Sequence, residues 1–199
     1  MAGKSTQRFS FIHRLWSRQT ETPSEQTLSG QTLSEQTPSG QTLSGALADG
    51  FQFLDVGSLR DSDLQLVLVD ASVPRNVREA CPQYVFAMRR ACDNAKMGSI
   101  SLRIGDTHFL THFAGHIGYG VDSGFRGSRL AARSVRLLLP LARRHAIAPL
   151  WITCNPDNWA SRRSCELAGA QLVETVDLPA NCEMYRLGER QKCRYKIEL

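Results

Sequence analysis

The stretch FRGSRLA, Phe125 to Ala131, sets two arginines, a glycine and a serine directly ahead of a long leucine- and arginine-rich run. The first turn of a helix carries unpaired N–H groups and the positive end of the helix dipole, so it is a natural seat for an anion. Gly127 lets a ligand approach the backbone, and Ser128 adds a hydroxyl donor. Arg126 and Arg129 raise the positive potential further, and phosphate is the anion such a start suits best. Upstream, His108, His112 and His116 are candidate bases, because an unperturbed histidine titrates near ~6.5. Gly118 and Gly120 break the following apolar run. The competing readings are ordinary buried or surface histidines, and glycines that let a helix pack closely. Six cysteines (Cys81, Cys92, Cys154, Cys165, Cys182 and Cys193) are scattered without a C-x-x-C pair, which points to reduced thiols and no metal site.

These residues need elements to position them. LQLVLVD, Leu64 to Asp70, reads as a short buried strand, and residues 76 to 95 read as a helix announced by Pro82. From Gly98 to Val121 the alternation predicts a three-stranded antiparallel meander turning at Gly105-Asp106 and at Ala114-Gly115. A helix is expected from Arg126 to His145. Projected at about 100° per residue, it gathers Arg126, Arg129, Arg133, Arg136, Arg143 and Arg144 on one side and leucines on the other. Arg133, Arg136, Arg143 and Arg144 read as a solvated face, with Pro140 among them as a kink or division. LWITC is a buried strand, NWASRRSCELAG a helix closed by Gly169, and QLVETVD and RQKCRYKIEL the last two strands. The order predicts an α/β or α+β sandwich around one mixed sheet.

Set together, GHIGYGVDSGFRGSRLAARSVRLLLPLARRHAIAPLWITCNPDNWASRRSCELAGA resembles the acetyl-coenzyme A core of the GNAT superfamily of N-acyltransferases, over about Ser99 to Ala170. The resemblance implies a mostly antiparallel sheet of about six to seven strands with about four helices. It also implies that acetyl-CoA is the acyl donor and an amine the acceptor. In that family a strand with a bulged or glycine-rich centre precedes an Arg/Gln-x-x-Gly-x-Gly/Ala loop that cradles the pyrophosphate. The arginine falls on Arg126 and the last small residue on Ala131, while Arg129 replaces the usual second glycine. The implied cofactor-binding set is Ile117, Gly118, Tyr119, Gly120, Val121, Arg126, Gly127, Ser128, Arg129, Leu130, Ala131, Asn158 and Ser161. Asn158 would brace the pantetheine arm and Ser161 reach coenzyme A; helix capping is the plain alternative for Asn158. His116 begins the strand where relatives often carry a glutamate or water-holding group. Cys165, seven residues after Asn158, stands where many relatives carry a proton-donating tyrosine, so these two are the catalytic candidates. The segment Asp177 to Gln191 holds Pro179, Glu183, Met184, Tyr185 and Glu189 in a region that shapes the acceptor pocket in relatives.

The expected activity is acetyl transfer to a primary amine of a small molecule or peptide, by direct attack in a ternary complex. The alternatives are a non-catalytic acyl-CoA sensor of the same fold and a nucleic-acid-associated protein. The last ranks lowest, because aromatic stacking platforms are missing. Of 199 residues, the first 50 carry four positive and four negative side chains, so the net charge of +5 lies in residues 51–199. That basic part suits an anionic partner. Residues 1–50 read as an extension: a five-residue repeat from Pro23 to Gly45 predicts disorder. Phe9, Ile12 and Trp16 could form a small docking face or a frayed tail. Residues 51–199 are expected to form one domain. No apolar run approaches the ~18 residues of a membrane span, and a cytoplasmic protein is expected, with a homodimer as one form open to it.

Overall fold

The computed structural model describes residues 51–74 and 80–199. The repeat and the Phe9, Ile12 and Trp16 face lie outside the described residues. Eight strands form one sheet: β1 Leu59–Asp61, β2 Leu64–Ser72, β3 Gln83–Arg90, β4 Lys96–Arg103, β5 Ile117–Val121, β6 Leu150–Cys154, β7 Gln171–Asp177 and β8 Gln191–Ile197. Their spatial order is β1-β2-β3-β4-β5-β6-β8-β7. Neighbours are antiparallel except β5 and β6, which run parallel. The helices are α1 Leu130–Arg144, α2 Trp159–Ala168 and the short α3 Glu183–Arg186, with a π-helical turn at Leu110–Ala114.

Eight strands are one more than the upper expectation, and two segments differ in kind. Of the helix expected over residues 76 to 95, Gln83–Arg90 is strand β3 instead, and residues 76–79 lie outside the described residues. Tyr84 through Met88 are all buried, so the strand is covered on both faces and reads as an unbroken apolar run. Periodicity cannot separate such a run from a buried helix. The middle strand of the expected meander is the π-helical turn. His108 and His112, and Phe109 and Phe113, recur at i, i+4 spacing, which serves a helical turn better than a strand. Thr107 Oγ1 accepts from Leu110 N at 3.2 Å to start this turn. At its end the buried Arg103 guanidinium donates to the carbonyls of Ala114 and Gly115.

Helix α1 begins at Leu130, four residues later than expected, and continues unbroken through the exposed Pro140. Its Leu130, Val135, Leu138, Leu141 and Ala142 pack on Leu64, Phe86, Ile100, Ile117 and Ile152 to make the main core. Burying each of the larger side chains is worth about 1.5–3 kcal/mol. Arg136, Arg143 and Arg144 are exposed, as the solvated face requires, and Arg133 is half-buried. Arg133 pairs with Asp61 and Asp63 at 2.7 Å each and fastens the β1–β2 turn. Arg136 caps α2 through Leu167 O at 2.8 Å, and Arg144 holds Asp55 O at 2.7 Å.

Residues ahead of β1 are clamped to the end of α1. Tyr84 Oη accepts from Leu54 N at 2.7 Å and lies 2.7 Å from His145 Nε2, while Phe51 stacks on the His145 ring. A phenol that already accepts from Leu54 gives its own proton to a neutral imidazole, and burial holds His145 below the ordinary histidine value. The unfolded chain therefore takes up this proton first as the pH drops. The contribution of His145 is intact above ~6.5 and disappears as pH falls through that value toward the folded pKa. The urea midpoint is expected to decline between about pH 7.5 and 5.5, with a shallower slope in His145→Gln. Identical slopes would remove His145 from the acid response.

Candidate active site

The parallel pair β5 and β6 meets in register at one position, Ile117 opposite Ile152. Beyond that point the strands part. The backbone edge of β5 from Gly118 to Val121 that faces β6 has no ladder partner among the described residues. A parallel pair ends at the same side of the sheet, so the gap opens toward the segments entering α1 and α2.

The closed end of this wedge is pinned by His116. Its N–H donates to Trp151 O at 2.7 Å, its Nδ1 accepts from Trp151 N at 2.8 Å, and its Nε2 donates to Gly105 O at 2.9 Å. Thr153 Oγ1 adds a bond to Phe113 O at 2.8 Å. Gly115 allows the close approach: a Cβ there would sit 2.9 Å from Thr153 N, and its φ is +72°.

The open end is the FRGSRLA segment. Arg126 turns back so that Nε donates to Val121 O at 3.2 Å, Gly127 takes φ +88°, and Arg129 takes the left-handed φ of +56° just before α1. The first α1 amide with a partner is Arg133 N, bonded to Arg129 O. Among the described residues, nothing accepts from the N–H groups of Arg129, Leu130, Ala131 or Ala132. No acid stands in the first turn, and residues 126–129 are exposed. Four donors and a positive dipole end thus meet at one exposed spot in a segment that carries two arginines, which suits an anion.

Beside it, Asn158 caps α2 by accepting from Ser161 N at 3.1 Å. Ser161 Oγ lies 2.8 Å from the hydroxyl of Tyr119, which crosses from β5 to α2. The residues proposed from sequence for the acyl donor therefore cluster: β5, the α1 entrance and the α2 entrance share one end of the parting strands.

The sequence profile of the acetyltransferase (GNAT) domain matches residues 65–171, more than half of the chain. The chain belongs to the GNAT acetyltransferase family. No curated protein matches it. Among solved structures it is similar to the microcin C7 self-immunity acetyltransferase MccE in complex with acetyl-CoA and AMP, at 18% identity, TM-score 0.47 and coverage of 59% of this chain and 61% of that one. It is also similar to RimL, a ribosomal L7/L12 α-N-protein acetyltransferase, in complex with coenzyme A, at 20% identity, TM-score 0.46 and coverage of 59% and 62%. A Salmonella typhimurium acetyltransferase that modifies the N-terminal serine of L7/L12 gives 21% identity, TM-score 0.46 and coverage of 59% and 64%. The chain spans less than two thirds of each of these proteins.

Within this GNAT domain the two residues singled out for catalysis sit differently from the open cup. His116 is buried, and both ring nitrogens are bound to backbone, with the Nδ1 lone pair held by an amide. Burial lowers its pKa, so the ring stays neutral as a strut between strands. Cys165 is 1% exposed, and contact with Cys154 together with burial pushes its thiol up, so it remains protonated. His108 and His112 stack at 3.9 Å on the π-helical turn, away from the cup. Among the described residues no group of three or more potential ligands could hold a metal ion. No described helix is long and apolar enough to cross a membrane.

The β7–β8 connection packs Leu178 and Met184 on Phe113 of the π-helical turn. Glu183 is exposed, whereas Glu189 is drawn inside, 2.6 Å from the buried Lys192. Asn155 links the two, donating to Glu189 Oε1 at 3.2 Å and accepting from Lys192 Nζ at 2.7 Å. This triad escaped the sequence reading. Lys192 alternates with Cys193 like any outward-facing strand residue, and no local signal reports that β8 is covered on both faces. Removing one partner of a buried pair strands the other charge, so Lys192→Met is expected to cost about 3–5 kcal/mol, measured by urea unfolding. Lys192→Met combined with Glu189→Leu is expected to recover most of it. A loss below about 1 kcal/mol in the single variant would mean the pair is solvated.

Proposed function

We propose that this GNAT domain is an N-acetyltransferase that binds acetyl-CoA at the α1 entrance and passes the acetyl group to a primary amine of a small molecule or peptide in a ternary complex. The observation that carries this reading is the set of four unpartnered amides, Arg129 to Ala132, at a helix start bare of acids. The residues fit the donor: amides, Ser128 and the two arginines answer the diphosphate, and the gap between β5 and β6 suits the narrow pantetheine arm. The donor supplies an activated thioester. The unpaired edge of β5 would hold the arm, and its N–H groups would polarise the acyl carbonyl. Attack by a neutral amine completes the transfer. The acceptor enters from the side of the β7–β8 connection.

Arg129 sharpens the test. The family pattern carries glycine there, and the backbone keeps a conformation that glycine favours. A non-glycine residue in that region costs about 1–2 kcal/mol, partly offset by the unfolded-state freedom glycine would bring. Strain held at a site is consistent with a side chain selected for binding. Arg129→Gly is therefore expected to leave the fold equally or more stable, by up to about 1 kcal/mol, while weakening acetyl-CoA about tenfold or more in calorimetry. Unchanged affinity in both Arg129→Gly and Arg126→Ala would overturn the pyrophosphate assignment. Thioester consumption over a panel of amines separates an enzyme from an acyl-CoA sensor: binding without turnover on any amine would favour the sensor.

A further inference from the structure

The breaking C–S bond leaves an electron pair on sulfur that needs a proton, and neither residue singled out from the sequence supplies one readily. His116 is spent on backbone bonds, and Cys165 lies beneath the wedge with almost no exposure. Tyr119 is placed otherwise. It sits on β5 between Gly118 and Gly120, two residues past the point where β5 and β6 part. Its hydroxyl lies 2.8 Å from Ser161 Oγ, 3.2 Å from Ser161 O and 3.8 Å from Cys165 Sγ. The other described tyrosines are engaged elsewhere: Tyr84 with Leu54 and His145, Tyr195 with Arg162, and Tyr185 under Arg190.

We propose that Tyr119 is the group that holds and protonates the departing thiolate of coenzyme A, with Ser161 connecting its hydroxyl to solvent. The assignment rests on the acyl-transfer reading above and adds to it a strand-borne donor. Burial pushes the phenol well above its ordinary value, so it is present as a proton donor throughout the neutral range. The amine lone pair forms the C–N bond and the C–S pair departs on sulfur. The sulfur takes the phenolic proton, the phenolate takes the Ser161 hydroxyl proton, and water restores Ser161 with the proton released by the amine. Ser161 is half-buried at the start of α2, so part of this residue reaches the surface.

The test uses coenzyme A alone and needs no acceptor. A phenol donating to the bound thiolate stabilises the charged form, so the thiol of bound coenzyme A ionises at lower pH in the parent than in Tyr119→Phe. The expected difference is about one to two pH units, the equivalent of one hydrogen bond to a charged group. The readout is thiolate ultraviolet absorbance against pH. With 3-fluorotyrosine at position 119, whose phenol is a stronger donor, the midpoint is expected to move below that of the parent, a second measurement that holds even if Tyr119→Phe fails to fold. Equal midpoints in parent and variants, with coenzyme A bound, would overturn the role of Tyr119 alone. Failure of the parent to bind coenzyme A would instead overturn the acyl-donor site and this role with it.

Discussion

The site depends on two parallel strands that are allowed to touch once. At Ile117 and Ile152 the sheet is continuous, and one residue later it is not. Separating strands leaves backbone donors and acceptors without partners, a cost of about 1–3 kcal/mol for each group kept from water. The structure tolerates the gap because its closed end is over-determined. The His116 backbone and ring hold Trp151 and Gly105, Thr153 holds Phe113, and Gly115 admits the close contact. A histidine that looks like a base in the sequence acts as a strut in the fold.

A second consequence of parallel strands is that both helices that follow them begin at the same side. The α1 entrance presents four amides, and the α2 entrance presents Asn158 and Ser161 on that same side. Arg133, Arg136 and Arg144 link α1 to the β1–β2 turn, to α2 and to the segment ahead of β1. The basic charge read as a solvated face therefore does two jobs. Arginines inside the helix fasten neighbouring segments, and those ahead of it stay exposed at the dipole end.

The opposite face of the sheet is organised by buried charge instead. Lys192, Glu189 and Asn155 fix the β7–β8 connection, while Arg103 closes the π-helical turn. Buried ion pairs are weak sources of net stability, but removing one partner is costly because the other charge is left buried.

The sequence by itself determined the mixed sheet, the Gly169 stop and the family, because each is written in local spacing, turn chemistry or a contiguous motif, while it left Asn158 open between a helix cap and a ligand contact. It misjudged β3, since a strand buried on both faces loses its alternation. It misjudged the π-helical turn as well, since histidine and phenylalanine pairs fit two periods at once. Only the tertiary structure decided that His116 and Cys165 are enclosed and that Tyr119 reaches Ser161, 42 residues away in the chain. Whether a side chain can exchange a proton depends on what else occupies its lone pairs and how much water reaches it. Those quantities are set by non-local neighbours, which no spacing along the chain records.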